Sequence, residues 1–166
     1  MATTLLVIDM QNDYFPGGAF PLWNPEATLE ATLAAIGRAR SRGEPVVLVR
    51  HEAATADGPL FRPGTQGAGI HPRLLATAGD APVVVKRHAD SFHRTDLARV
   101  LAGFGTTGLR IAGMMTQNCV AFTAISRDAA PYEVSVLSNC TTTVDRNIQQ
   151  FALHALSTRV AVVADA

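Results

Sequence analysis

Charge is scarce in this 166-residue chain, and what there is cancels: 14 Lys and Arg oppose 14 Asp and Glu, together 17% of residues. That balance leaves nothing to draw the chain to nucleic acid or an anionic membrane. Lys86-Arg87 is the one adjacent Lys/Arg pair, so no basic run marks a local patch. Long apolar runs are missing too, and no segment nears the roughly 18 residues that span a bilayer. The opening Met1-Ala-Thr-Thr-Leu-Leu-Val-Ile-Asp9 has no basic stretch, and Asp9 breaks its apolar run too early for a secretory leader. Cysteine is limited to Cys119 and Cys140, two thiols expected to stay reduced in the absence of an export signal. The expectation is a cytoplasmic protein with neither a membrane nor a nucleic-acid partner.

What is present is apolar and regularly spaced. Apolar residues make up 48% of the chain, and its length suits a single domain over 1–166 with a sizeable core. Short apolar runs alternate with helix-length amphipathic segments, the pattern of βαβ units. Strands are expected at 5–8, 45–49, 82–85, 109–113, 133–137 and 160–163. Asn24-Pro25-Glu26 supplies an N-cap, a first-turn proline and an early acid for a helix running to Gly43. Thr95-Asp96 caps a helix carrying Leu97, Val100 and Leu101. A further helix runs from about Asn118 to Ala130 with Val120, Phe122, Ala124 and Ile125 among its apolar positions. Asp145 caps the last, with Ile148, Phe151, Ala152 and Leu156 at helical spacing. Residues 51–81 hold several Gly and Pro, two His and no sustained period, and long loops of that kind are usually functional. The fold class is α/β: a three-layer α/β/α sandwich around a mostly parallel, Rossmann-like six-stranded sheet.

In open parallel sheets ligands bind beyond the carboxyl ends of the strands. Three reactive side chains fall there: Asp9 closes the first strand, Lys86 closes the third, and Cys119 starts the helix after the fourth. Their chemistry is complementary. A thiol needs a base, and a nearby cation and a helix N-terminus lower its pKa. Taken singly, each has a plainer role: a core cysteine, a turn-capping aspartate, a lysine where a strand meets solvent. Their coincidence at one sheet edge favours a catalytic set. Phe15, Phe20, Phe92, Gln117 and Asn118 lie in sequence beside the three and are candidates for the substrate-binding wall. Trp23 is expected to be a packing anchor, and Cys140 structural.

Three blocks in order carry a resemblance over nearly the whole chain. They are Thr4-Leu-Leu-Val-Ile-Asp-Met-Gln-Asn-Asp13, Lys86 with Ser91-Phe92 and Thr95-Asp96-Leu97, and Gly113-Met-Met-Thr-Gln-Asn-Cys119-Val120. Together they resemble the isochorismatase-like cysteine hydrolases. The resemblance implies a catalytic triad of Asp9, Lys86 and Cys119. It also implies a cis peptide joining Met114 to Met115, and an oxyanion hole made by the backbone N–H groups of Met115 and Cys119. It further implies a homo-oligomer acting on a small-molecule substrate. Because Cys119 is present, attack on an amide, ureido or related C–N bond is favoured over vinyl-ether hydrolysis. Nicotinamidase-like members of that family add a metal through an Asp-x-His pattern after the second strand. Here the place reads Val49-Arg50-His51-Glu52, and His51 and His71 lie too far apart in sequence for a local ligand pair, although the fold could still bring them together; neither a metal nor any other cofactor is expected. A catalytically silent member, and a redox protein pairing Cys119 with Cys140, are the competing readings.

Overall fold

The computed structural model describes residues 2–165, so the two terminal residues of the expected domain lie outside it. Six strands form one sheet: β1 (Thr3–Ile8), β2 (Val46–His51), β3 (Val83–Lys86), β4 (Gly108–Met114), β5 (Glu133–Thr142) and β6 (Ala161–Val163). Their order is β3-β2-β1-β4-β5-β6, and every pairing is parallel. The central strands read as apolar runs because both faces of the sheet are covered. Leu5 and Val7 enter one buried cluster, and Leu6 and Ile8 enter the other. Strand order reverses between β1 and β4, which opens the crevice where open sheets bind ligands. No helix among the described residues is long and apolar enough to cross a membrane.

Five helices cover the sheet: α1 (Pro25–Ser41), α2 (Pro72–Ala78), α3 (Leu97–Gly103), α4 (Ala121–Ala124) and α5 (Arg146–Ser157). Asp145 caps α5 as expected, accepting from Asn147 N–H at 2.8 Å and Ile148 N–H at 2.9 Å. Asn24 precedes α1 in a left-handed conformation, but its side chain makes no capping bond, contrary to expectation. The helix expected over 118–130 divides into a π-helical turn (Thr116–Val120), α4 and a 3₁₀ turn (Arg127–Ala129). Phe122 (55% exposed), Ile125 and Phe151 (75% exposed) point outward rather than into the core. Strand β5 runs five residues past the expected Leu137, because a register break opposite Ile111–Gly113 lets Thr141 and Thr142 rejoin β4.

The irregular stretch 51–81 contains α2, whose seven residues bury only Leu74 and Ala78, one i,i+4 pair. That is too short to show a period. The rest is stapled beneath the site. The Gln11 side-chain amide donates to the carbonyls of His51 and Ala68, each at 2.8 Å, and its oxygen accepts from His51 N–H at 2.8 Å. Buried Asp13 accepts from Phe61 N–H at 2.8 Å.

Gly113 marks where β4 crosses closest to β1. Its φ is 130°, and a Cβ there would overlap the Ile8 carbonyl. Gly113→Ala is expected to lower stability by about 2–4 kcal/mol, since backbone, not a flexible side chain, must move. Urea denaturation measures this, and a midpoint equal to wild type would refute the close approach.

Candidate active site

The all-parallel sheet brings Asp9, Lys86 and Cys119 to one edge, as their positions at strand ends predict. Asp9 follows β1 with a φ of 52°, a left-handed conformation that Asp tolerates better than most residues. Lys86 is the last residue of β3 and the only lysine in the chain. Cys119 lies in the π-helical turn after β4, a distortion often found at functional sites. Thr116, in the same turn, hydrogen-bonds to Gln149 Oε1 at 2.6 Å, and Gln149 Nε2 donates to the Thr141 carbonyl at 3.0 Å. The turn is thereby tied to both β5 and α5.

All three side chains are buried. The Lys86 ammonium donates to Cys119 Sγ at 3.2 Å, to the His88 carbonyl at 3.0 Å and to His51 Nδ1 at 3.0 Å. Asp9 Oδ2 lies 2.8 Å from the same nitrogen, so one ammonium serves four partners with three protons. The Asp9–Lys86 contact is a buried, charge-assisted pair, and Asp9 retains acceptor capacity for a further donor. Burial works against the lysine's charge, but Asp9 and then Cys119 outweigh it, and the Lys86 pKa rises.

The thiol departs from expectation. Burial first, and the Asp9 charge second, push the Cys119 pKa up to about 12, against the opposing pull of Lys86. The helix following the turn is only the four residues of α4, so little macrodipole helps the thiolate. At rest Cys119 is a thiol, and its proton must leave in the course of reaction.

His51 was read from sequence as a loop histidine, but it ends β2 directly opposite Lys86 in the β2–β3 register. Burial, followed by the Lys86 ammonium, lowers its pKa. Because an ammonium only donates, Nδ1 must accept and the ring proton sits on Nε2. The same criterion that selected Asp9 and Lys86, a reactive residue closing a strand, would have found it. Tyr14 was also missed. Its buried phenol is pushed well above its ordinary pKa by burial and then by Asp9 and Cys119, so it belongs to the site's surroundings.

The expected wall residues do not converge on one surface. Phe92 joins the apolar cluster that holds Cys119 and stacks on Tyr132 at 6.0 Å. Phe15 lies in the cluster across the sheet, against the His71 ring at 4.5 Å. Phe20 is 46% exposed, Gln117 is exposed and Asn118 is half-buried. Cys140 is a free buried thiol in the cluster opposite that of Cys119, so the disulfide required by the redox reading has no geometry. The peptide between Met114 and Met115 is cis, as the resemblance implied.

The sequence profile of the isochorismatase domain matches residues 3–166. The chain belongs to the isochorismatase family. An uncharacterized isochorismatase family protein of Bacillus subtilis is 36% identical over 86% of this chain and 79% of its own. A protein of Arabidopsis thaliana described as a probable inactive nicotinamidase is 32% identical, over 84% and 80%. Among solved structures, an isochorismatase-like hydrolase of Alkaliphilus metalliredigens has a TM-score of 0.89 at 25% identity, covering 99% of this chain and 95% of that one. A pyrazinamidase of Pyrococcus horikoshii, solved with zinc, has a TM-score of 0.87 at 25% identity, over 99% and 100%. Family members are hydrolases.

The zinc in that relative raises the question of whether a metal fits here. Asp9, His51 and Cys119 offer ligand atoms all within 4.8 Å of one another. The space they share already holds a cation, because Lys86 Nζ contacts all three at 2.8–3.2 Å. Glu52, the next acid along, is engaged by Arg50 at 2.6 Å. These residues form an ammonium site and do not fit a metal ion.

Proposed function

We propose that this member of the isochorismatase family is a cysteine-dependent hydrolase of a small amide, ureido or related C–N bond, working through a thioester. One observation carries the reading. Lys86 Nζ lies 2.8 Å from Asp9 Oδ2 and 3.2 Å from Cys119 Sγ, which sets a buried carboxylate with acceptor capacity to spare beside a protonated thiol. A buried acceptor of that kind is costly unless something donates to it. The Cys119 S–H and a substrate N–H are the donors that suit it.

The cycle follows from that placement. Asp9 takes the Cys119 proton as Sγ bonds to the carbonyl carbon, and Lys86 holds the thiolate's charge. The backbone N–H groups of Met115 and Cys119 receive the oxyanion. The intermediate collapses with the C–N bond breaking, and protonated Asp9 gives its proton to the departing amine. Water then attacks the thioester as Asp9 takes its proton, the C–S bond breaks to release the acid, and Asp9 returns the proton to the departing Cys119 sulfur, restoring the thiol and the carboxylate. His51 orients Lys86 through Nδ1. Of the five expected wall residues, Phe92, packed in the cluster that holds Cys119, and Gln117 and Asn118, in the same turn as Cys119, are the ones proposed to line the substrate site; Phe15 and Phe20 are not. A reduced cytoplasmic setting and a homo-oligomeric state belong to the same proposal, and sedimentation equilibrium tests the latter.

The test is a panel of small amides, ureides and isochorismate assayed with wild type and Cys119→Ala. Hydrolysis of a C–N substrate that drops about 10³-fold or more in the variant is expected. Activity surviving Cys119→Ala would contradict the covalent route, and turnover of isochorismate alone would favour the vinyl-ether reading. A fully silent wild type would place the chain beside its inactive plant relative.

A further inference from the structure

The loop after β3 carries more positive character than any other part of the site, and none of it has been given a role. Residues 87–94 read Arg87-His88-Ala-Asp-Ser-Phe-His93-Arg94. The His88 carbonyl holds Lys86 Nζ, which places this loop's backbone against the reacting groups. The imidazoles of His88 and His93 meet edge to face at 4.6 Å, and both residues are exposed. The charge of His88 is felt at His51, which itself contacts Lys86. Among the described residues, neither Arg87 nor Arg94 forms a salt bridge.

The nearby acids are directed elsewhere and pair with neither arginine. Asp90 accepts from Phe92 N–H at 2.9 Å and from the Ser126 hydroxyl at 2.7 Å. Asp96 pairs with Arg99. The loop is also held in place from below. Ser91 N–H donates to Thr123 Oγ1 at 3.0 Å, the Thr123 hydroxyl donates to Ser91 Oγ at 2.8 Å, and Thr95 Oγ1 donates to the Ser91 carbonyl at 2.6 Å. These bonds fix the loop backbone that carries the four side chains before a ligand arrives.

We infer that His88 and His93, with Arg87 and Arg94 around them, form an anion subsite that selects substrates carrying a carboxylate beside the scissile C–N bond. Two adjacent imidazoles offer ring N–H donors to a carboxylate, and the arginines add charge and bidentate capacity. The inference rests on Cys119 being the nucleophile, and it extends that reading from bond type to substrate charge.

Iodoacetate and iodoacetamide test it without knowledge of the substrate, since they differ only in carrying a carboxylate or an amide. The ratio of their alkylation rates at Cys119, taken at one pH, is expected to fall roughly fivefold or more in His88→Gln/His93→Gln and in Arg87→Gln/Arg94→Gln. High salt should lower the wild-type ratio in the same direction. An unchanged ratio in both double variants would overturn the subsite.

A second measurement is independent of thiol reactivity. Cys119→Ala is titrated with succinamate and with neutral succinamide while the histidine ring signals are followed by NMR. Saturable shifts of His88 and His93 with succinamate alone support the subsite. An equal response to both compounds, or to chloride at the same concentration, refutes it. If iodoacetamide fails to label Cys119 while succinamate still binds, the nucleophile reading fails and the anion site stands.

Discussion

Asp9→Asn is expected to separate two properties of Cys119 that usually move together: turnover falls about 10³-fold or more, while alkylation of the resting thiol becomes faster. Both effects come from one carboxylate. Its charge is the second cause, after burial, holding the Cys119 pKa up at about 12, with Lys86 pulling the other way. Neutralising Asp9 removes an upward push and leaves the ammonium's downward pull, so the pKa falls. At any pH below the new value, more thiolate is present and iodoacetamide reacts faster. Catalysis is lost all the same, because the Cys119 proton has no nearby acceptor and the leaving amine no donor. The pH profile of alkylation gives the sign directly: the wild-type rate should climb tenfold per unit toward about 12, and the variant should level off earlier. Slower alkylation in Asp9→Asn would show instead that the carboxylate supports the resting thiolate. Because Lys86 is the only lysine, ε-¹⁵N-lysine labelling gives one side-chain signal, which reports whether the ammonium stays charged in the variant.

The second large effect is expected at Lys86. Lys86→Met leaves Asp9 buried with no cation, and breaking a buried pair from one side costs about 3–5 kcal/mol. It also removes the group that lowers the Cys119 pKa, so the thiol becomes harder to ionise and turnover collapses. The double variant Asp9→Asn/Lys86→Met removes both charges and is expected to recover most of the stability but none of the activity. Urea denaturation of the two single variants and the double, read as a cycle, isolates the pair. A single variant as stable as the double would mean that the carboxylate is satisfied by some other means.

Several features of the site were legible because they depend on order along the chain. Asp9 and Lys86 follow runs of buried strand residues and Cys119 sits in the segment after β4, and any parallel sheet places such positions at one edge. His51 satisfies the same rule, but its role depends on the β2–β3 register, which sets it opposite Lys86. No local pattern encodes that register. The thiol's pKa was misjudged for a related reason. A cation and a helix start argue for a thiolate, whereas burial and the Asp9 charge argue against it, and only the packed structure ranks them. Helix α2 escaped notice because seven residues with one buried pair show no period. Phe122 and Phe151 looked like core because helical spacing does not say whether anything covers the face.

A parallel α/β architecture, and the gathering of Asp9, Lys86 and Cys119 at one edge of its sheet, follow from the order of residues along the chain. Strand and helix periods are local, and chain order assigns each strand's carboxyl end. How the ammonium is shared there emerges only on folding: Lys86 meets Asp9, His51, His88 and Cys119 together, and burial with the Asp9 charge holds Cys119 as a thiol. Hydrogen-bond direction and desolvation are properties of groups brought together from different strands, and neither exists until the chain is folded.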